Sequence, residues 1–473
     1  MSICILGVGL RDTSIPSVLS GKYIKVKTSV ISEKDTDLFL FLTNSNRVCY
    51  LSKEHLVTWR TLGDEVDVDG TDPIICAYIE NGLLYHKKET SIKKVGGATT
   101  LCLNICHSCN MNCTYCYANA GTYGGSVSIM TRETAEKAID WFSTKGNSKK
   151  VTVHFFGGEP LLNESVLKNI VEYCNKKNNV EYSFSLNTNG TLLTNNFVEF
   201  CEGENVAIAV SYDGNREMHD SMRIFGNGQP SYYVIKNRIG QIPEMKKSVL
   251  SARVTISRGD VSLMEIVDNL LADGFLRIQL DYVYSDDELV YAPFFANWDI
   301  IRTEIRCLAN KAMHLWLTKG VIIYPYVKYF TKLMYGIIPD NTCTAGEKLL
   351  CITPEGDVYP CFKYINEARF KLGSIESHDI DVKKLSEFVQ MKGESRSEHC
   401  AGCNLYHLCG GPCPEVFGMA FFKSGLLCKL TQCIAHACIE VFCDSWENDQ
   451  MVFKKKVITQ SMSLLNKVTQ HKP

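Results

Sequence analysis

The chain has 473 residues, 45% hydrophobic and 22% charged, which is enough apolar material for several domains with packed cores. A formal net charge of −2 excludes a binder held to nucleic acid by bulk charge. No apolar run reads as long enough to span a bilayer, and MSICILGVGLRDTS lacks the basic start of an export signal, so a cytoplasmic protein with no membrane partner is expected.

In chain order, residues 1–92 read as a small separate unit. LFLFL at 38–42 alternates, Thr43–Asn46 is turn material, and Val48 and Tyr50 resume the strand, which predicts a hairpin. Ser52 caps a predicted helix over 53–59 and Asp72 a second over 73–81, ended by Gly82. A hairpin with short helices predicts a winged-helix-like fold, joined through a linker at 91–97. Residues 93–335 then alternate strand and helix. Strands are predicted near 98–105, 151–156, 181–187, 206–212, 249–256 and 276–284. Asn163, Val166, Leu167, Ile170, Val171 and Cys174 share one helical face, and a further helix covers 262–271. Six such units predict an α/β fold, a parallel sheet either open or curled into a partial (β/α)6 barrel, with its active site at the C-terminal strand ends. Over 336–450 cysteine, glycine and proline become dense and regular elements short, as in a small domain held by metal. Residues 451–473 read as a surface helix and tail whose lysines 454–456 are solvated.

The anomaly is 22 cysteines in a chain expected in a reducing compartment, which points to metal or redox chemistry rather than disulfides. Cys4, Cys49, Cys174, Cys201 and Cys307 stand alone and read as small buried hydrophobes. Cys109, Cys113 and Cys116 follow the first predicted strand. On a loop, three thiolates at this spacing reach three corners of a cubane cluster and leave its fourth iron open. A zinc site completed by His107 is the rival. CNMNCTYCYA resembles the cluster loop of the radical S-adenosylmethionine (SAM) superfamily, including Tyr115. The second strand runs into Gly157-Gly158-Glu159-Pro160, the third ends in NTNG at 187–190, and the fourth in SYDG at 211–214, followed by His219, Asp220 and Arg223. Four motifs in order on four strand ends carry the resemblance. It implies a 4Fe-4S cluster on Cys109, Cys113 and Cys116, whose open iron chelates S-adenosylmethionine and whose electron releases a 5'-deoxyadenosyl radical. It implies that Gly157, Gly158, Glu159 and Pro160 hold the methionine amino group, and that Tyr115, Asn187, Ser211 and Arg223 contact the rest of the cofactor. Glycines allow close backbone approach there, and carbonyls with a carboxylate suit an ammonium. Cys102 and Cys106 are expected to be structural.

A second cysteine group is more specific in spacing. Cys343 is followed by twelve residues, Gly356, four more residues and then Cys361, the cysteine of a G-x4-C motif. Cys400, Cys403, Cys409 and Cys413 follow, then Cys428. This resembles the SPASM domain and implies two auxiliary 4Fe-4S clusters, three clusters in all. Cys343, Cys361 and Cys413 would hold the first; Cys400, Cys403, Cys409 and Cys428 the second. Paired zinc ribbons are the rival. Cys351 is expected to be structural, which leaves an open iron on the first auxiliary cluster. Cys433 is the alternative to Cys428, and with Cys438 and Cys443 it otherwise reads as part of a helix.

YANAGTYGG after Cys116 is similar to the segment of SPASM enzymes that crosslink precursor peptides, the SCIFF-maturase type among them. The N-terminal unit resembles the precursor-recognition element that binds a leader peptide as an added strand. Together these imply a peptide maturase that forms thioethers and draws electrons from a flavodoxin or ferredoxin. Carbon–carbon crosslinking, epimerisation and sulfatase-maturase-type oxidation are alternatives, as is a non-catalytic iron–sulfur adaptor. Sulfatase maturases carry an Asp after the G-x4-C cysteine; here the residue is Phe362. His154 is expected to be packed or hydrogen-bonded, and His399 and His407 to flank the last cysteines. No role is assigned to Tyr212. Arg253 is read as a partner of the cofactor carboxylate or as a structural ion pair.

Overall fold

The computed structural model describes residues 98–448 apart from 146–147, 284–294, 338–342, 378 and 401; before residue 98 it describes seven strands and the positions Trp59, Thr61, Leu62, Tyr78 and Leu83. Strands Ile3–Leu6, Arg47–Ser52, Asp37–Leu42 and Thr28–Lys34 make an antiparallel sheet in that order. The predicted hairpin is its centre. Glu65–Val68, Gly21–Lys25 and Leu84–His86 form a second sheet. The two predicted helices and the 91–97 linker lie outside the described residues, except for Trp59 and Tyr78, whose rings meet edge-on at 5.4 Å. The tail from 451 also lies outside them.

The central sheet contains β1 (Thr100–Asn104), β2 (Lys150–Phe156), β3 (Glu181–Thr188), β4 (Val206–Ser211), β5 (Leu250–Ile256) and β6 (Arg277–Tyr282). These match all six predicted strands and are parallel and consecutive. The unit count extends beyond six. A short parallel β7 (Ile322–Tyr324) pairs with β6. On the other edge β8 (Leu349–Ile352) runs parallel to β1, and β9 (Asp357–Tyr359) and β10 (Gly373–Ser374) continue antiparallel. The cysteine-rich segment thus extends the barrel sheet instead of standing apart from it.

Period-two alternation builds the two faces. On β2, Val151, Val153 and Phe155 are buried beneath α1 (Arg132–Lys145) and α2 (Glu164–Asn175), while Thr152, His154 and Phe156 face the concave side. Each fully buried Val, Leu or Phe contributes about 1.5–3 kcal/mol. α2 presents the predicted face of Val166, Leu167, Ile170, Val171 and Cys174. Thr194 caps α3 (Asn195–Gly203) by accepting from Phe197 N. Ser262 caps α4 (Leu263–Ala272) by accepting from Glu265 N. The concave side is polar: Ser185, Asn187, Ser211, Arg253, Thr255 and Asp281 alternate with buried apolar neighbours.

Several expectations are corrected. The region after 336 is not limited to short elements, because α7 (Val382–Cys400) and α8 (Leu426–Asn448) are long helices. α8 packs on α5 (Trp298–Lys319) and α6 (Tyr326–Tyr335), and its Leu430, Ile434, Cys438 and Phe442 join the main core. Leu426–Ser445 is also long and apolar enough to cross a membrane, contrary to the sequence reading; burial against α5 and α6 accounts for that apolarity. Cys49, Cys174 and Cys201 are buried as expected, whereas Cys307 is exposed on α5.

Candidate active site

The three-cysteine loop is held at both ends by backbone. Gly158 N donates to Cys106 O at 2.7 Å and Glu159 N to Ser108 O at 2.8 Å. A Cβ on Gly158 would lie 2.1 Å from the Ser108 oxygen. One on Gly121, whose φ is +92°, would lie 2.6 Å from Gly158 Cα. These glycines therefore let the end of β2 press against the root of the loop. At the far end, Asn112 N donates to Ile224 O at 2.8 Å and Thr114 N to Met222 O at 2.9 Å. The segment after SYDG is the second clamp.

Glu159 is a pillar beneath the site. It is fully buried. Its Oε1 accepts from Thr188 Oγ1 at 2.7 Å and Leu161 N at 3.0 Å, and its Oε2 from Asn189 N at 2.7 Å. Burial pushes its carboxyl up to about 7, and those donors oppose the shift. Glu159 and Pro160 are not among the residues that line the cavity, whereas Gly157 and Gly158 are. The carboxylate instead fixes the NTNG turn, whose Asn189 donates through Nδ2 to Cys109 Sγ at 3.7 Å.

Asp213 of SYDG plays the same part for Arg223. Its two oxygens accept from Arg223 Nε at 2.8 Å and Nη2 at 3.1 Å, and Oδ1 also accepts from Thr255 N at 2.9 Å. Burial pushes the Asp213 carboxyl up, but Arg223 and His219 outweigh it and hold it well below the usual carboxylate range. His219 is itself fixed at Nε2 by Ser231 Oγ at 2.9 Å. The bidentate pair aims one cation into the cavity, with the Tyr115 ring 5.4 Å away.

The cavity has a volume of about 420 Å³. It brings together Cys109, Cys113, Cys116, Tyr115, Gly157, Gly158, Asn187, Ser211 and Arg223, so that of the expected site residues in the barrel only Glu159 and Pro160 stand behind it. Burial pushes the Cys109 thiol up to about 12 and Cys113 to about 11; a bound metal displaces those protons. His107 is buried against Tyr123 and is not among the lining residues, which removes it as a fourth ligand here. Three loop thiols, a glycine cradle and a held guanidinium beside the orphaned Tyr115 hydroxyl fit a cluster with one open corner and a zwitterionic ligand.

Sequence reasoning left Asp281, Phe156 and Lys363 out of the wall, whereas it read Arg253 as a cofactor partner or a structural ion pair. Arg253 pairs with Asp281 across β5 and β6 at 3.0 Å, and both line the cavity. Phe362 stacks on Phe156 with centroids 4.4 Å apart, and Tyr117 stands 6.4 Å from Phe362. Lys363 Nζ lies 3.6 Å above Tyr117 and 3.5 Å from Glu415. His154 bonds Ser185 Oγ at 2.8 Å, and burial with nearby Arg253 holds it down to about 4. Tyr212 is buried and donates to Asp273 at 2.9 Å.

Cys400, Cys403, Cys409 and Cys428 line a second cavity, of about 530 Å³, and Cys413, expected on the first auxiliary cluster, lines it too; Cys433 is not among its lining residues. The Cys361 thiol has Cys102, Cys413 and Cys343 as electrostatic neighbours. Cys351 faces Cys102 in register across β8 and β1, in the core cluster that includes Cys361. Among the described residues no three His, Cys, Asp or Glu side chains converge on a single metal ion. His399 is exposed, stacks on Phe417 and lines the second cavity; His407 lies partly buried beside Tyr406.

Residues 103–249 match the radical SAM superfamily, and residues 343–404 match SPASM, an iron-sulfur cluster-binding domain. The chain is 24% identical over 458 residues to the radical SAM cyclopropyl synthase TigE of Paramaledivibacter caminithermalis, covering 87% of this chain and 90% of that protein. It is 23% identical over 329 residues to a cysteine-type anaerobic sulfatase-maturating enzyme of Clostridium novyi, covering 65% and 85%. An uncharacterised Methanocaldococcus jannaschii protein is 36% identical over 138 residues; the match spans 29% of this chain and 46% of that protein. In fold, the chain is similar to native anSMEcpe with bound AdoMet and Cp18Cys peptide, at a TM-score of 0.59 and 19% identity, covering 74% of this chain and 99% of that one.

Proposed function

We propose, on the premise that this chain is a radical SAM enzyme with a SPASM domain, that it modifies a ribosomally made precursor peptide by joining a cysteine sulfur to a carbon in a thioether. The reading takes one 4Fe-4S cluster on Cys109, Cys113 and Cys116, a second on Cys343, Cys361 and Cys413, and a third on Cys400, Cys403, Cys409 and Cys428. Once bound, the first cluster and S-adenosylmethionine supply one-electron cleavage and hydrogen-atom abstraction. Arg223, pinned by Asp213, presents a cation to the cofactor carboxylate. Asn187 and Ser211 stand at the strand ends facing its ribose. Tyr117, Phe156 and Phe362 form an apolar wall that keeps water from the reacting carbon. A leader peptide adds to an edge of the N-terminal sheet, and a flavodoxin or ferredoxin supplies electrons in the cytoplasm.

The observation that carries the thioether reading is Phe362. It directly follows Cys361 and stacks on Phe156, so no carboxylate stands where sulfatase maturases have one. Closure of the product then falls to a nucleophile of the substrate, and a thiolate is the best ligand for a cluster held by three cysteines. A polypeptide substrate is supported by the sulfatase-maturating relatives and by a similar fold solved with a bound peptide. A second reading, carbon–carbon bond formation, is favoured by the near full-length match to a cyclopropyl synthase. Mass spectrometry of the peptide encoded beside the gene, after reaction with anaerobically reconstituted protein, tests both. The thioether reading predicts loss of two hydrogens with loss of an alkylatable thiol. Loss of two hydrogens with every thiol still alkylatable would overturn it in favour of the second.

A further inference from the structure

Lys332 on α6 is a buried lysine with no carboxylate. It is 6% exposed, and its Nζ donates to Leu408 O at 2.6 Å. Among the described residues no Asp or Glu lies within ion-pair distance of it. Its charged neighbours are Lys328 and Arg396, both cations, and the Cys409 thiol, which immediately follows Leu408. Lys328 is exposed on the same helix and lines the cavity of Cys400, Cys403, Cys409 and Cys428. Arg396 donates to Tyr406 O at 3.1 Å, covers the Tyr406 ring at 4.1 Å and acts on Cys400. Two of these cations, Lys332 and Lys328, act on Cys409, and the third, Arg396, acts on Cys400.

A buried ammonium without a counter-ion is costly, and two like charges beside it raise that cost. Lys392 shows the ordinary remedy in the same domain. It is equally buried and donates to Cys343 O at 2.9 Å and Ala345 O at 3.0 Å, but it also pairs with the Glu347 carboxylate. Among the described residues Lys332 has no such partner. Its surroundings offer it no anion to pair with among those residues, since Asp281 on the cavity wall is taken by Arg253, and a cluster held by four thiolates carries net negative charge.

We propose that Lys332 is the charge partner of an iron–sulfur cluster on Cys400, Cys403, Cys409 and Cys428, and that it sets the cluster's reduction potential. The inference rests on the cluster assignment made under Proposed function. Reduction adds one negative charge, so a fixed ammonium beside Cys409 favours the reduced state and raises the potential. Lys328 and Arg396 act in the same sense from nearer solvent, where water screens them. Lys332 is a positioning residue in this account: it touches the backbone of the ligand loop and acts through charge.

The test is an anaerobic redox titration of the reconstituted full-length protein, followed by electron paramagnetic resonance. The signal that Cys403→Ala removes identifies the cluster. Lys332→Met is expected to shift that signal to lower potential and leave the other signals in place, while Lys332→Arg keeps it close to the parent value. An unshifted potential in Lys332→Met at full iron content would overturn the proposal. Should Lys332→Met fail to load, Lys332→Gln, which keeps a donor for Leu408 O without the charge, carries the test: a downward shift is expected, and an unshifted potential overturns the proposal. A parent protein with no signal sensitive to Cys403→Ala removes the cluster reading itself, and the role of Lys332 with it.

Discussion

Gly158 and Ser108 approach so closely that a Cβ on Gly158 would sit 2.1 Å from the Ser108 carbonyl oxygen and 2.9 Å from Gly121 Cα. That contact is backbone on backbone, so it cannot relax by turning a side chain. Gly158→Ala must push the loop root away from β2. We expect a stability loss of about 1–3 kcal/mol, the usual cost of overpacking, and lower iron content after reconstitution. Gly226→Ala, where a Cβ meets nothing within 4 Å, serves as the control and should leave both unchanged. Equal iron content and thermal midpoint in Gly158→Ala would contradict the clamp.

The Asp213–Arg223 pair gives a prediction with a sign. The Asp213 carboxyl is depressed in the fold, so its stabilising contribution is present above the unfolded value of about 3.9 and is lost as pH falls below that. Asp213→Asn leaves a buried guanidinium without its partner, which costs about 3–5 kcal/mol. Denaturant unfolding should show the same gap between parent and variant at pH 5 and pH 8. A gap that closes between those values would mean that Asp213 titrates in the ordinary range.

Glu159 is predicted to act through Asn189 rather than by touching the cofactor. Glu159→Ala leaves Leu161 N, Thr188 Oγ1 and Asn189 N without their acceptor, at about 1–3 kcal/mol for each buried group left unpaired. Thr188→Val removes one donor to Glu159 and the acceptor of Gly190 N but leaves Asn189 N on the carboxylate, so it should weaken S-adenosylmethionine binding less. Binding measured by calorimetry would contradict this order if the two variants lost affinity equally.

Phe362→Ala removes one side of the stack with Phe156, a contact of about 0.5–1.5 kcal/mol. Cleavage of S-adenosylmethionine should persist while its coupling to peptide modification falls, because the wall and not the cluster loop is disturbed. The readout is the ratio of deoxyadenosine to modified peptide, which should rise. An unchanged ratio would remove Phe362 from the substrate wall.

Much of this site was legible in the sequence because its signals are local. Cys109, Cys113 and Cys116 lie within one loop, and each strand-end motif closes a run of period-two alternation. All six predicted strands form, and nine of the eleven expected barrel site residues, Tyr115 and Arg223 among them, line one cavity. The misses depend on register and packing. Glu159 was read as a ligand by its motif, yet its position just past β2 directs the carboxylate under the neighbouring strand. The ion pair expected of Arg253 takes Asp281 as its unnamed partner because β5 and β6 pair with Thr255 opposite Asp281, an alignment no single segment encodes. Phe362 reaches Phe156 because β8 and β9 extend the barrel edge, a pairing that composition does not encode. The apolar run of α8 carries the same ambiguity: only its packing distinguishes a core helix from a membrane span.

Deoxyadenosine release by anaerobically reconstituted protein under a reductant tests the central claim most directly. The parent should release it from S-adenosylmethionine, and Cys113→Ala, which strips one corner of the cluster, should reduce release by at least about 100-fold, the scale on which loss of a required group acts. Release by Cys113→Ala at the parent rate would contradict the account.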